Sequence, residues 1–132
     1  MNSYDLLVFE DLKIATMTRS ARGTPQQPGC QVAQKAGLNR EILACSWGAF
    51  ISMVAYKAED AGRELIVVNP RGTSQRCSSC GHTEAANRPS QAAFCCQACG
   101  FSQHADLHAA RNILWLGSSL RGQKREAETS AA

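Results

Sequence analysis

Four cysteines in two closely spaced pairs restrict the folds open to this chain more than any other feature. The pairs are Cys77-Ser-Ser-Cys80 and Cys96-Gln-Ala-Cys99, with fifteen residues between them. Two residues between thiolates allow a tight turn that directs both sulfurs to one ion, and four thiolates form the tetrahedral ligand set of a structural Zn²⁺ site. The spacing therefore predicts a four-cysteine zinc ribbon.

The residues around each pair support this ligand set. Gly81 and Gly100 directly follow the pairs, and glycine permits the positive φ that turns backbone N–H groups back toward the sulfurs. A further cysteine, Cys95, directly precedes Cys96, so in extended chain its side chain points to the opposite side. We therefore expect Cys96 and Cys99, and not Cys95, to bind the ion.

Disulfide pairs or reactive thiols are the alternative use of these cysteines, and His82 and His104 are alternative ligands. The chain starts without a basic segment before its short apolar run, so we expect no secretory leader. No apolar run reaches the roughly 18–20 residues of a membrane helix, and we expect no membrane partner. In the reducing cytoplasm, the expected location, cysteine clusters are more often metal ligands than disulfides.

Two short apolar runs and a helical pattern between them predict an α/β arrangement. The runs, Leu6–Phe9 and Leu65–Val68, are typical of strands buried on both faces. Apolar residues recur at helical spacing from Asn39 to Ala61, with Asn39 as N-cap and Gly62 as the stop. Strand, helix and strand in this order predict a right-handed crossover and a parallel strand pair.

The segment from Leu12 to Arg40 contains no acidic residue. Much of the link from Lys13 to Leu38 lacks a helix or strand pattern, and loops of this length are functional or disordered. The segment is either a solvated flexible loop or a loop that contacts the phosphates of nucleic acid. The basic residues that would make these contacts are Lys13, Arg19, Arg22, Lys35 and Arg40.

Two carboxylates stand at the ends of predicted elements. Glu10 follows the first strand, and Asp106 begins the helical pattern "DLHAARNILWLG". Each has a simple structural account, since Glu10 ends a strand at the surface and Asp106 caps a helix. Together they have another use: two acidic groups from distant segments could bind Mg²⁺ or Mn²⁺ and orient water against a phosphodiester.

The runs "VFEDLK", "VNPRGTSQRCSSCGH" and "HADLHAARNIL", in this order, resemble the C-terminal part of the OrfB/TnpB family. Its members are transposase-associated, RNA-guided nucleases related to type V CRISPR effectors, and the resemblance covers about residues 4–116. It implies a partial RNase H-like (RuvC-like) fold that lacks its first strands and carries an inserted zinc ribbon with four cysteine ligands. The expected organisation is a partial RuvC-like core over 1–70, the ribbon over 71–103, a returning helix over 104–118 and a disordered tail over 119–132.

The same resemblance implies roles for the two carboxylates and for partners. Glu10 matches the second catalytic carboxylate of the family and Asp106 the third, with Mg²⁺ or Mn²⁺ as catalytic cofactor and with DNA and a guide RNA as partners. The first catalytic Asp belongs to an earlier strand that this chain does not contain, and Asp5 lies at the wrong end of the Glu10 strand to replace it. We therefore expect a truncated transposase or one half of a split protein, with its missing N-terminal half on another chain and little nuclease activity alone.

Two non-catalytic functions remain open at this point. The chain could be a zinc-ribbon protein that binds DNA or RNA and regulates full-length relatives. It could also be a structural zinc module without a nucleic-acid role, because zinc ribbons serve both purposes.

Overall fold

The computed structural model describes residues 4–130, which form a mixed α/β fold in two compact units. One unit contains the described residues up to Asp11 and those from Glu64 onward, and the other contains Leu12–Arg63. The elements in chain order are β1 (Leu6–Glu10), α1 (Ile14–Met17), α2 (Val32–Ala44), α3 (Trp47–Asp60), β2 (Glu64–Val68), a 3₁₀ turn (Ala85–Asn87), β3 (Ala93–Cys95), β4 (Ser102–His104) and α4 (Ala105–Ser130).

The two apolar runs form the predicted parallel pair. β1 and β2 pair in register from Leu6 opposite Glu64 to Glu10 opposite Val68. Burial on both faces is a wrong expectation, because every residue of β1 is only half-buried and Val67 is 43% exposed. The reason is that this sheet has two strands among the described residues, so part of its surface has no covering layer.

Helix α4 packs on both small sheets of the first unit. Its most buried positions recur at helical spacing and include Ala105, His108, Asn112 and Gly117, as expected for one inward face. Gly117 lies directly against Val8 of β1, where a Cβ atom would overlap both methyl carbons of the valine. The absence of a side chain at Gly117 is therefore what allows the helix to approach the strand.

The end of α4 differs from the sequence-based expectation. A disordered tail is expected from residue 119, but the helix continues to Ser130, and residues 131–132 lie outside the described part. Residues such as Leu, Gln, Lys, Arg, Glu and Ala in this stretch favour helix. Arg121 also forms a 2.8 Å ion pair with Glu64 at the start of β2. No helix between residues 4 and 130 is both long and apolar enough to cross a membrane.

The ribbon has a small core around one aromatic residue. β3 and β4 are antiparallel, and Phe94 lies opposite Gln103. Phe94 is fully buried in a cluster with Cys77, Cys96 and Ala105. This cluster joins both cysteine pairs to the first residue of α4.

The second unit corrects the prediction of one helix from Asn39 to Ala61. Two helices, α2 and α3, meet at Ser46, which has a left-handed φ of 47°. The apolar spacing continues across this break, so periodicity alone does not reveal it. Asn39 is not an N-cap; it lies inside α2 and donates a 2.7 Å hydrogen bond to the Thr18 carbonyl oxygen. Gly62, with φ of 63°, ends α3 as predicted.

The predicted long loop is shorter and more ordered than expected. α1 begins at Ile14, and α2 begins at Val32. Between them the chain forms a tight turn in which Gly23 pairs with Pro28. The Gly29 N–H donates a 2.9 Å hydrogen bond to the Arg22 carbonyl oxygen, so the interpretation of a freely flexible loop does not describe this segment.

We predict that Gly117→Ala destabilises the protein by about 1–3 kcal/mol, because the added methyl group overpacks against Val8. The measurement is the free energy of unfolding from urea denaturation followed by circular dichroism. Gly122→Ala is the matched control: Gly122 is in the same helix with open space around it, so alanine there should stabilise by up to about 1 kcal/mol. Equal effects of the two substitutions would contradict the close helix–strand contact.

Candidate metal centre and carboxylate positions

The two cysteine pairs form equivalent turns. Gly81 donates its N–H to the Cys77 carbonyl oxygen at 2.9 Å, and Gly100 does the same to Cys96 at 2.9 Å. Both glycines have positive φ, 80° and 72°, as the sequence predicts. The glycine N–H groups themselves bond to a carbonyl oxygen, whereas the neighbouring backbone N–H groups of Ala98, Cys99 and Phe101 bond to the sulfurs of the second pair.

The four predicted ligand atoms converge on one point. The sulfurs of Cys77, Cys80, Cys96 and Cys99 all lie within 4.8 Å of one another. Two of the separations are 3.7 Å, from Cys77 to Cys99, and 3.6 Å, from Cys80 to Cys96.

These separations match a metal-binding geometry. A tetrahedron with metal–sulfur distances of about 2.3 Å has sulfur–sulfur edges of about 3.8 Å, whereas a disulfide bond is about 2.05 Å long. The observed separations fit the first value, and all seven cysteines are free thiols. The residues therefore fit a tetrahedral metal ion such as Zn²⁺ and do not form the alternative disulfides.

The environment of the sulfurs separates their pKa values. Burial raises the pKa of Cys96. Hydrogen bonds from the backbone of Cys99 and Ala98 and from the side chains of Cys80 and Cys99 lower this pKa by more, and the net value is about 7. The Phe101 N–H lowers the pKa of Cys99, while hydrogen bonds with Cys80 and the other thiols, and burial, raise it to about 12. Without a metal ion the cluster thus retains protons, which binding of a cation would displace.

A buried asparagine connects the two turns. Asn87 is fully buried, and its amide donates to the carbonyl oxygens of Gln75 at 2.9 Å and His82 at 3.3 Å. Its Oδ1 accepts the Gln97 N–H at 2.9 Å. One side chain therefore fixes the spacing of the ligand turns. Sequence reasoning missed this residue, because nothing in a lone Asn within a polar segment indicates contacts at both turns.

His108 forms a second connection, from α4 to the first turn. Its ring stacks on Phe94 with centroids 3.6 Å apart, and its Nε2 accepts the Ser78 N–H at 3.2 Å. Burial lowers the pKa of His108, and the charges of Arg111 and Arg88 lower it further. The ring is therefore a neutral packing and acceptor group, which supports the ligand turn.

The other cysteines and histidines lie outside the ligand set. Cys95 belongs to β3 and is not among the clustered sulfurs, in agreement with the expected direction of its side chain. Cys45 and Cys30 are exposed. His82 is 3.1 Å from Glu84, and the alternative of a histidine ligand finds no support.

Glu10 ends β1, and its carboxylate contacts the segment that leads to the ribbon. The Thr73 hydroxyl donates to Glu10 Oε1 at 2.8 Å. Thr73 itself is 4% exposed, so this contact is shielded from solvent on the threonine side. The structure thus gives the Glu10 carboxylate a defined partner.

Asp106 lies in the first turn of α4, as its sequence position predicts, but it is largely solvent-exposed. Its side chain is 83% exposed and lies 4.0 Å from His104 Nδ1. Its backbone N–H donates to the same nitrogen at 3.3 Å. Asp106 is thus the second residue of α4 and not its N-cap; a carboxylate in the first turn is favourable beside the helix dipole, and it stays accessible to a cation.

The two carboxylates belong to the same unit but have different neighbours. Within residues 4–130, the four cysteines are the one group of three or more His, Cys, Asp or Glu ligand atoms that lie close together. Glu10 and Asp106 therefore do not form a complete site with a third such side chain in the described part of the chain.

The five basic candidates all belong to the second unit. Arg19 and Lys35 line an open cleft of about 460 Å³, and the Lys35 ammonium group donates to the Met17 carbonyl oxygen. Arg22 lines a second cleft, and Arg40 is exposed on α2. The arrangement offers cationic side chains around open surface, a property that suits an anionic partner.

Comparison with known proteins adds an independent finding. A family model described as "Cas12f1-like, TNB domain" matches residues 47–113. The chain is 46% identical over 118 residues to InsQ of Escherichia coli K12, to which RNA-guided DNA endonuclease activity is ascribed; the match covers 89% of this chain and 29% of InsQ.

Other relatives match as well. The chain is 53% identical over 60 residues to the CRISPR-associated endodeoxyribonuclease Cas12f1 of Sulfoacidibacillus thermotolerans, covering 46% of this chain and 14% of the relative. It is 24% identical over 117 residues to the TnpB-like protein L79 of Acanthamoeba polyphaga mimivirus, covering 89% of this chain and 20% of the relative. The chain thus spans less than a third of the length of these relatives.

We predict that Cys96→Ser weakens metal binding at least tenfold, because it removes one of four sulfur ligands, while Cys95→Ser leaves binding unchanged. The measurement is titration with Co²⁺, followed by the sulfur-to-cobalt charge-transfer absorption, and competition with Zn²⁺. Equal losses in the two variants would contradict the ligand assignment.

We predict that the buried, neutral His108 makes the folded protein less stable in acid. The pKa of His108 in the folded protein lies below the ordinary value of 6.5, which it regains in the unfolded chain. At a pH between the folded-state pKa and 6.5, the unfolded state therefore binds more protons than the folded state. The contribution of His108 is thus fully present above about pH 6.5 and is lost as pH falls through this window.

The test is urea denaturation of the Zn²⁺-loaded protein at a series of pH values. His108→Gln should show a shallower fall in the free energy of unfolding below about pH 6.5. His82→Gln is the control, because it removes an imidazole from a partly exposed position; its slope should match that of the wild type. Identical slopes for wild type and His108→Gln would show that His108 is not responsible.

Proposed function

The chain belongs to the TnpB/OrfB family, and we propose that it is the ribbon-bearing segment of an RNA-guided DNA endonuclease of transposable elements. In this proposal it binds DNA and a guide RNA in the cytoplasm and acts in transposition. The relatives that the chain matches include proteins described as endonucleases of this kind. The chain spans less than a third of the length of these relatives.

The continuity of α4 is the observation that carries this proposal. The helix follows β4 of the ribbon, has Asp106 in its first turn and packs at Gly117 on β1, the strand that ends in Glu10. One continuous helix thus connects the ribbon to the strand with the first candidate carboxylate. A RuvC-like, RNase H-type core with a ribbon inserted before its last helix would have the same order of elements.

We assign Zn²⁺ to the four-cysteine site. Zn²⁺ has no redox chemistry and prefers tetrahedral thiolate ligands, so it would supply a purely structural link between the two turns. Two nearby side chains would add to this structural link. Asn87 fixes the separation of the turns, and His108 attaches the first turn to α4.

Glu10 and Asp106 are the proposed ligands for Mg²⁺ or Mn²⁺. Divalent cations at these groups would stabilise the attacking and leaving oxygens of an in-line displacement at a phosphodiester. Glu10 is already oriented by Thr73, whereas the exposed Asp106 is free to reorient toward a cation. A third carboxylate, expected on an earlier strand, completes the proposed set, so these 132 residues alone should cleave DNA little or not at all.

A non-catalytic nucleic-acid-binding protein is the second candidate. The separate surroundings of the two carboxylates favour it, because Glu10 bonds to the Thr73 hydroxyl whereas Asp106 lies beside His104. In that case the ribbon and the basic residues of the second unit would bind DNA or RNA and regulate full-length relatives. The purely structural zinc module is the third candidate, and absence of binding at low salt would support it.

We predict salt-dependent binding of DNA without cleavage by the purified chain. Each phosphate contact contributes about 0.9 to the slope of log K against log salt concentration, so Arg19→Gln, Arg22→Gln or Arg40→Gln should each reduce the slope by about that amount. Lys57→Gln removes one charge from exposed α3 and should leave the slope unchanged. Fluorescence anisotropy with labelled DNA, titrated at several salt concentrations, measures the slopes.

The outcomes separate the candidates. Mn²⁺-dependent cleavage by this chain alone, abolished by Glu10→Gln or Asp106→Asn, would show a complete catalytic site and contradict the expectation of inactivity. Cleavage only after addition of a chain with the missing strands would support the endonuclease proposal. Binding without cleavage under both conditions would favour the regulatory protein.

A further inference from the structure

The Glu10 carboxylate is held by residues outside the proposed ligand set. We propose that Thr73, itself fixed by Asn112 of α4, is a positioning residue that sets the orientation of Glu10 for cation binding. This inference rests on the proposed role of Glu10 as a ligand, and it adds two residues to the machinery of the same site.

Thr73 contacts Glu10 directly. Its hydroxyl lies 2.8 Å from Glu10 Oε1 and 2.9 Å from the Pro70 carbonyl oxygen. The hydroxyl has one proton for two acceptors, and an ionised carboxylate is the stronger acceptor. A carboxylate accepts several hydrogen bonds, so a cation can bind its remaining lone pairs while Thr73 holds its rotamer.

The backbone around Thr73 is fixed from α4. Asn112 is 2% exposed, and its Nδ2 donates to the carbonyl oxygen of Thr73 at 2.8 Å and to that of Arg76 at 2.7 Å. Both protons of the amide are thus used on one short segment. The segment is closed by its own turn, in which the Arg76 N–H donates to the Gly72 carbonyl oxygen at 2.9 Å.

These contacts form a continuous path from the helix to the carboxylate. Asn112 lies six residues after Asp106 on α4, or about 9 Å along the helix axis at 1.5 Å per residue. The helix that presents Asp106 therefore also sets, through Asn112 and Thr73, the position of Glu10. Residues of this kind around a metal site commonly change cation affinity by about 10–100-fold when altered.

The test uses the full chain loaded with Zn²⁺ and labelled uniformly with ¹³C and ¹⁵N, in an NMR titration with Mn²⁺. Glu10→Gln assigns the Glu10 signal. Two quantities are measured. The first is the set of three-bond couplings that report the Glu10 χ1 rotamer. The second is the half-broadening Mn²⁺ concentration, at which paramagnetic broadening reduces the intensity of the Glu10 signals to half.

Thr73→Val removes the hydroxyl at constant shape, and Thr73→Ser keeps the hydroxyl and removes a methyl group. We expect Thr73→Val to give averaged couplings and to raise the half-broadening Mn²⁺ concentration about tenfold, with Thr73→Ser within about twofold of wild type. Asn112→Ala should act in the same direction as Thr73→Val. If Thr73→Val matches wild type in both quantities, the positioning role is wrong.

Failure of the underlying function gives a different result. If neighbouring backbone signals are broadened by Mn²⁺ equally in wild type and Glu10→Gln, Glu10 is not a cation ligand and the proposed catalytic role fails. The couplings would then still decide whether Thr73 orients the side chain. If Thr73→Ser loses as much affinity as Thr73→Val, the loss does not follow the hydroxyl group, which also overturns the proposal.

Discussion

The convergence of four sulfur atoms is the constraint on which the first unit depends. Few of the described residues are fully buried, and two of them, Cys77 and Cys96, are candidate metal ligands. Phe94 and Ala105 pack against these same cysteines. A core of this size stabilises little by apolar burial alone, and small domains commonly add a metal ion for that reason. The start of α4, and with it Asp106, is therefore anchored on the ligand turns.

Buried polar side chains extend this anchoring beyond the sulfurs. Asn87 connects the two turns, His108 attaches one turn to α4, and Asn112 fixes the segment that contacts Glu10. Buried amides of this kind are stable only when their hydrogen bonds are made. The position of the candidate carboxylate on β1 thus depends on several specific bonds and not on general apolar packing.

Local patterns in the sequence predict a good part of this architecture. The ligand set follows from the spacing of the two cysteine pairs, the strands from their apolar runs, and the stop of α3 from Gly62. The division into α2 and α3 at Ser46 is not predictable in this way, because the apolar spacing continues through a residue whose left-handed backbone is unusual outside glycine. The contacts of Asn87 and Asn112 join residues far apart in sequence, and no local pattern marks them. The contact between Glu10 and Thr73 likewise joins residues far apart in sequence, and no local pattern predicts it.

Each ligand turn buries its first cysteine and exposes its second, since Cys77 and Cys96 are buried while Cys80 and Cys99 are exposed. Solvent therefore has unequal access to the four sulfurs. A chelator or an oxidant would therefore meet the sulfurs of Cys80 and Cys99 first. With a metal ion bound, the buried sulfurs of Cys77 and Cys96 would be the ligands that solvent reaches least.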